Sequence, residues 1–308
     1  MRNKHLGWMF LITILLHIGL VLVMSFTPFG EKLSLAGNFI LSEAVIVVPA
    51  LAFLLLTGKK DGWNLPDRLG FHKIKISSAL MLVLYAFLLI PLATLCNAIS
   101  MLFVENRVVS ISGEILSIGL PAMLFFTAVN APFCEELVFR GVIYRTCRKQ
   151  SGAWKALWLS AILFGLMHMN FNQAGYAMVL GLGLALALEA TDSLWGSMII
   201  HFVFNASSSL ELFLISSLAP EVYETMQDAE ISTMELQMSI GVYLMLACAT
   251  TALAGCVLAW ISQKEGRQTQ MYAIWSSRRQ NVEKVITLPL VIGVILALAY
   301  MAIEVVVQ

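Results

Sequence analysis

Three short polar sets interrupt stretches that are otherwise apolar. Glu135, Glu136 and Arg140 lie in APFCEELVFRGVIY, residues 131–144; Phe164 and His168 open and close FGLMH; His201 and Asn205 lie in HFVFNA. A charge at the centre of a membrane helix costs roughly 2.5–3.5 kcal/mol on insertion scales, so such residues need partners or work to do. Glu136 and Arg140 are i,i+4 and can pair on one helix face. Glu135 points about 100° away from Glu136, toward a different surface. Pro132, just before them, removes a backbone donor and favours a kink. Each set alone also has a plain reading: a buried ion pair, an interhelical hydrogen-bonding histidine, a polar pair joining helices.

Together they hold the parts for hydrolysis. A shielded carboxylate can act as general base, a histidine can hold water and carry its proton, and a His–Asn pair can donate to a tetrahedral oxyanion. Other peptidase chemistries leave no trace. No histidine is followed by Glu, so the H-E-x-x-H zinc pattern is missing. Gly-x-Ser and Gly-x-Gly-Asp are missing as well. A proton-coupled transporter is the competing class, since buried Glu and His also mark proton relays, but no repeated half with broken helices is visible.

The elements that must position these residues are membrane spans. The chain of 308 residues is 59% hydrophobic and 12% charged, with Lys+Arg and Asp+Glu balanced at 19 each; a soluble domain carries about 25% charged residues. No basic cluster with interleaved aromatics points to nucleic acid. Apolar runs predict nine spans near residues 6–26, 36–57, 78–102, 116–146, 154–170, 174–191, 194–217, 238–261 and 285–307. The expected class is an all-α, polytopic helical bundle of about 8–9 transmembrane helices. The first span reads as an uncleaved anchor. With the N-terminus cytoplasmic, sixteen basic residues, Arg2, Lys59 and Lys60 among them, fall in inner segments. Only Lys32 and Arg107 fall in outer ones, and Arg140 alone lies inside a span. The acidic stretch with Glu221, Glu224, Asp228, Glu230 and Glu235 falls outside. The five cysteines read as small buried hydrophobes, the methionines as core filler, and His17, Glu43, Glu211 and Glu304 as solitary interhelical or interfacial contacts.

The order Glu-Glu-x-x-x-Arg, Phe-x-x-x-His, His-x-x-x-Asn resembles the three-motif signature of the CAAX protease and bacteriocin-processing (CPBP, or ABI) family. EELVFRGVIY and the stretch GLGLALALEATDSLWGSMIIHFVFN agree in finer detail. The likeness covers about residues 115–215, and divides the chain into N-terminal spans 1–114, a catalytic core 115–217 and C-terminal spans 218–308. It implies an intramembrane endopeptidase acting on a membrane-embedded or lipid-modified peptide in the bilayer, with the plasma membrane the expected site. Glu135 would be the general base and His168 would help activate water. His201 and Asn205 would form the oxyanion site, and Glu136 and Arg140 would orient the base. The family also carries a metalloprotease label, under which Glu135, His168 and His201 would bind zinc. Asn is a poor zinc ligand and the set is incomplete, so the metal-free mechanism is preferred and no cofactor is required by it. An idle peptide-binding or immunity scaffold of the same fold is the other alternative. Straight helices would leave His168 about 10 Å further out than Glu135 and His201; a tilted or displaced fifth helix would bring them level.

Overall fold

The structure is a computed structural model that describes residues 3–58, 64–228, 232–279 and 284–307. Arg2, Lys59, Lys60 and Glu230 of the charge pattern lie outside the described residues. Eight helices are long and apolar enough to cross a membrane: α1 (Asn3–Phe26), α2 (Leu35–Gly58), α3 (Ile76–Ser100), α4 (Leu120–Ser151), α6 (Phe171–Thr191), α7 (Leu194–Leu218), α8 (Thr233–Lys264) and α9 (Leu288–Val307). Between α4 and α6 lies the shorter α5 (Ala153–Met167). The protein is thus a polytopic helical membrane protein, and among the described residues there is no strand. Helices are what an apolar solvent demands, because every backbone N–H and C=O must be satisfied within the segment.

The fifth expected span is the one that differs. Its 15 residues reach about 22 Å, short of a hydrocarbon core of about 30 Å. His168 closes it, and Met169 takes a left-handed turn with φ 55°. Asn170 then caps α6, its side chain accepting from the Gln173 N–H at 2.8 Å. The chain therefore reverses directly after His168.

α4 is not a uniform helix. Residues Phe125–Asn130 and Leu137–Tyr144 are π-helical, with α-helix over Ala131–Glu136 between them. The widening flanks Pro132, whose missing N–H leaves the helix continuous through Ser151. α4, α5 and α6 carry most of the core. One apolar cluster runs from Leu6 to Met301 through Phe139, Ile143, Leu163 and Phe164. Gly165 lets α5 lie against α6: a Cβ there would sit 2.6 Å from the Ala174 carbonyl oxygen.

At the end of α4 that carries Arg145 and Arg148, polar bonds tie the helices together. Glu189 Oε1 accepts from the Tyr144 hydroxyl at 2.5 Å and from Arg148 Nε at 2.6 Å. Asp192, left-handed at φ 52°, turns α6 into α7, its carbonyl accepting from His72 Nδ1 at 2.6 Å and Arg145 at 2.9 Å. The cysteines depart from their expected burial: Cys147 is buried, but Cys248 and Cys256 are exposed on α8, where bilayer replaces protein as the apolar surroundings.

Candidate active site

The middle of α4 supplies two carboxylates in different circumstances. Glu136 is fully buried, and its Oε1 accepts from Arg140 at 2.9 Å and from His201 Nδ1 at 3.0 Å. Arg140, also fully buried, donates to the Gly181 carbonyl at 3.0 Å, and its guanidinium lies 4.4 Å from the centre of the Phe164 ring. Gly181 permits this approach, since a Cβ there would meet Arg140, Ala161 and Phe164, each at 3.2 Å. Charge, ring face and carbonyl together offset the desolvation of the guanidinium. Glu135, on the neighbouring face, is 18% exposed and makes no such pair with a guanidinium; its Oε2 stands 3.5 Å from His201 Nε2.

His201, in α7, thus bridges the two carboxylates. Phe164 stands between the two histidines, its ring edge-on to His168 at 5.0 Å and to His201 at 5.6 Å. α5 ends early, with His168 as the residue that caps it, and the shared contact with Phe164 brings its imidazole near that of His201. His168 Nδ1 donates to the Phe164 carbonyl at 3.0 Å. A carbonyl can only accept, so that nitrogen holds the hydrogen and Nε2 of the neutral ring is an acceptor.

Asn205 has a use that its spacing from His201 did not reveal. In the π-helical stretch of α4 the Ala131 N–H reaches back five residues to Phe126. The next N–H in that pattern would be Pro132's, which does not exist, so the Thr127 carbonyl is left over. Asn205 Nδ2 donates to it at 2.8 Å. One amide hydrogen is therefore committed to the backbone, and one is left to donate elsewhere.

Among the described residues, no three His, Cys, Asp or Glu side chains group to hold a metal ion. Both ring nitrogens of His201 face glutamates, Nε2 toward Glu135 and Nδ1 toward Glu136. Two further titratable residues lie on helices of the site without belonging to any of the three motifs: Glu43 on α2, which packs against Ala131–Glu136 of α4, and Tyr176 on α6. Nothing in the sequence around Tyr176 marks it out; it falls one turn after Asn172 on a helix whose other polar residues cluster at its ends.

Residues 117–207 match the family model described as Rce1-like, type II CAAX prenyl endopeptidase. The match takes in α4 to α6, α7 as far as Ser207 and every residue of the three motifs, and bears out the resemblance to the CPBP family. It covers less than a third of the chain. YdiL of Bacillus subtilis (strain 168), a membrane peptidase by its given name, is 22% identical over 87 residues, which are 28% of this chain and 36% of that protein. The chain thus spans little more than a third of the length of this curated relative. No solved structure matches the chain.

Proposed function

We propose that the protein is an intramembrane endopeptidase that cleaves a membrane-embedded or lipid-modified peptide with water activated by Glu135. One observation carries the reading. Arg140 and His201 both bond Oε1 of the fully buried Glu136, which leaves Glu135 as the partly open carboxylate beside an imidazole nitrogen 3.5 Å away. Two neighbouring carboxylates in such different surroundings support different roles, one structural and one reactive.

In this mechanism Glu135 takes a proton from water, and the resulting hydroxide attacks the substrate carbonyl carbon. His168 Nε2, an acceptor, holds the same water. The oxyanion receives the free amide hydrogen of Asn205 and the Nε2–H of His201, which takes the water's proton over from Glu135 and hands it back before the last step. The C–N bond then breaks and Glu135 returns its proton to the leaving amine, which restores the enzyme. Glu136 and Arg140 hold the His201 ring and the α4 backbone in place. No step runs through a metal. The basic end of α4 would face the cytoplasm, as the charge pattern requires. Prenylated C-terminal tails are the substrate class that the matched family's description names.

The test is purified protein in proteoliposomes with a farnesylated C-terminal peptide. Wild-type protein cuts it, Glu135→Gln does not, and phenanthroline leaves the wild-type rate unchanged. Cleavage by Glu135→Gln at the wild-type rate removes the base from the mechanism. Loss of activity to the chelator removes the metal-free route.

A further inference from the structure

α2 lies outside the matched segment, and Glu43 is its one ionisable residue. The Oε2 of Glu43 is buried and has no hydrogen-bond partner among the described residues. The Nδ2 of Asn130, in α4, is likewise buried and unpartnered. An orphaned acceptor and an orphaned donor at membrane depth call for an explanation, because neither water nor lipid satisfies them there.

They belong to one seam. Phe39 of α2 stacks on Phe126 of α4, ring centres 5.4 Å apart and planes 8° from parallel. As second and fourth crossings, the two helices run in the same direction. Four residues on from that stack stand Glu43 on α2 and Asn130 on α4, close to one turn further along each. Four more bring α4 to Cys134, within the stretch Ala131–Glu136 against which α2 packs. The neighbouring stripe of α4, Phe125, Val129 and Phe133, is exposed and points elsewhere. Glu43 and Asn130 therefore flank the seam between α2 and α4 about one turn from the reactive carboxylate.

The chemistry selects what fits. An anion would meet Glu43 and Glu135. A cation would suit Glu43 but not the Asn130 amide. A peptide main chain offers both an N–H and a C=O, repeated at about 3.3 Å per residue when extended. We propose that Glu43 and Asn130 are positioning residues that hold the substrate main chain: Glu43 accepts an N–H and Asn130 donates to a C=O of an extended segment leading to Glu135. This rests on the peptidase reading for the substrate's nature, not for the existence of the seam site.

The experiment separates the two. Full-length Glu135→Gln protein in proteoliposomes is photolabelled with a farnesylated C-terminal peptide that carries a diazirine beside the scissile position, and the adducts are mapped by mass spectrometry. Adducts are expected within residues 39–43 and 126–134. Adding Glu43→Ala or Asn130→Ala lowers that labelling about tenfold, the loss of one hydrogen bond to a charged or buried group. Adding Glu43→Gln keeps it, because the amide oxygen still accepts an N–H; a purely structural carboxylate would show no such pattern. Adducts absent from the seam, or labelling indifferent to both alanine variants, overturn the proposal. Cleavage of the same peptide by wild-type protein is read in parallel. Seam labelling without cleavage drops the peptidase and keeps the seam; cleavage without seam labelling does the reverse.

Discussion

Two adjacent glutamates differ because one helix residue rotates them onto different neighbours. Glu136 meets Arg140 and His201, whereas Glu135 meets His201 at longer range and the open side. Removing one member of a buried, bonded charge pair leaves the other uncompensated and costs about 3–5 kcal/mol. Arg140→Ala is therefore expected to lower the thermal unfolding temperature of the purified protein markedly, while Glu135→Gln leaves it within error of wild type. Equal melting of the two variants contradicts this division. The pairing of Glu136 with Arg140 was legible from i,i+4 spacing, because both partners sit on one helix. Glu43 was not, since its neighbours come from residues about ninety positions later in the chain. Asn205 was legible as a polar residue on the His201 face but not as a backbone cap, because that role depends on the π-helical register of α4. That register makes its own prediction. Asn205→Ala loses a hydrogen bond worth about 0.5–1.5 kcal/mol. Pro132→Ala restores an N–H that can take the Thr127 carbonyl, so the loss from Asn205→Ala should shrink in that background. A double-mutant cycle on unfolding free energy reads the coupling; additive effects would separate Asn205 from Pro132.

At the scale of elements, the decisive feature is a helix that stops early. Apolar content predicts α5 as a crossing, and its composition does resemble one. What composition does not carry is the left-handed turn at Met169, a conformation that few residue types announce. The end of α5 depends in turn on its contact with α6 at Gly165, three residues before His168. A methyl group at Gly165 meets backbone rather than a flexible side chain, so the two helices must part. Gly165→Ala is expected to cost about 1–3 kcal/mol as overpacking and to lower activity through displaced His168. Gly175→Ala, inside α6 with nothing within 4 Å of the added carbon, is expected to leave activity unchanged and to raise stability by about 0.5–1 kcal/mol. Thermal unfolding and peptide cleavage measured on the two variants side by side distinguish a close approach from a general glycine effect. Equal loss at both positions would place the cause elsewhere than in this close approach.

Over the whole molecule, the matched stretch must be fastened to spans that no motif describes. The fastening lies at the end of the bundle opposite the α5–α6 turn. The Leu194 N–H donates to the Gly70 carbonyl at 2.7 Å and the Ser193 hydroxyl to the His72 carbonyl at 2.5 Å, which ties the α6–α7 turn to the segment before α3. The Lys75 N–H and the Ser78 hydroxyl reach Glu265 after α8, at 3.1 and 2.5 Å. Asp192 is the hub: Arg145 lies 3.2 Å from one of its carboxylate oxygens, with Arg267 at 3.7 Å and His72 at 3.9 Å from the other. Its side chain is 43% exposed, so these ion pairs together contribute only about 1 kcal/mol. The backbone adds a separate contribution, because an alanine held at φ 52° costs about 1–2 kcal/mol that glycine does not. Asp192→Ala is accordingly expected to lose about 2–3 kcal/mol of unfolding free energy and Asp192→Gly about 1 kcal/mol. In both variants, deuterium uptake should rise in residues 70–75 and 265–267, whereas residues 164–168 and 201–205 keep wild-type protection. Loosening that spreads to His168 and His201 would mean that the fastening and the reactive centre form one cooperative unit. Loosening confined to the basic end means that the centre is held by α4 to α7 themselves, and that the flanking spans serve to seat those four helices in the bilayer.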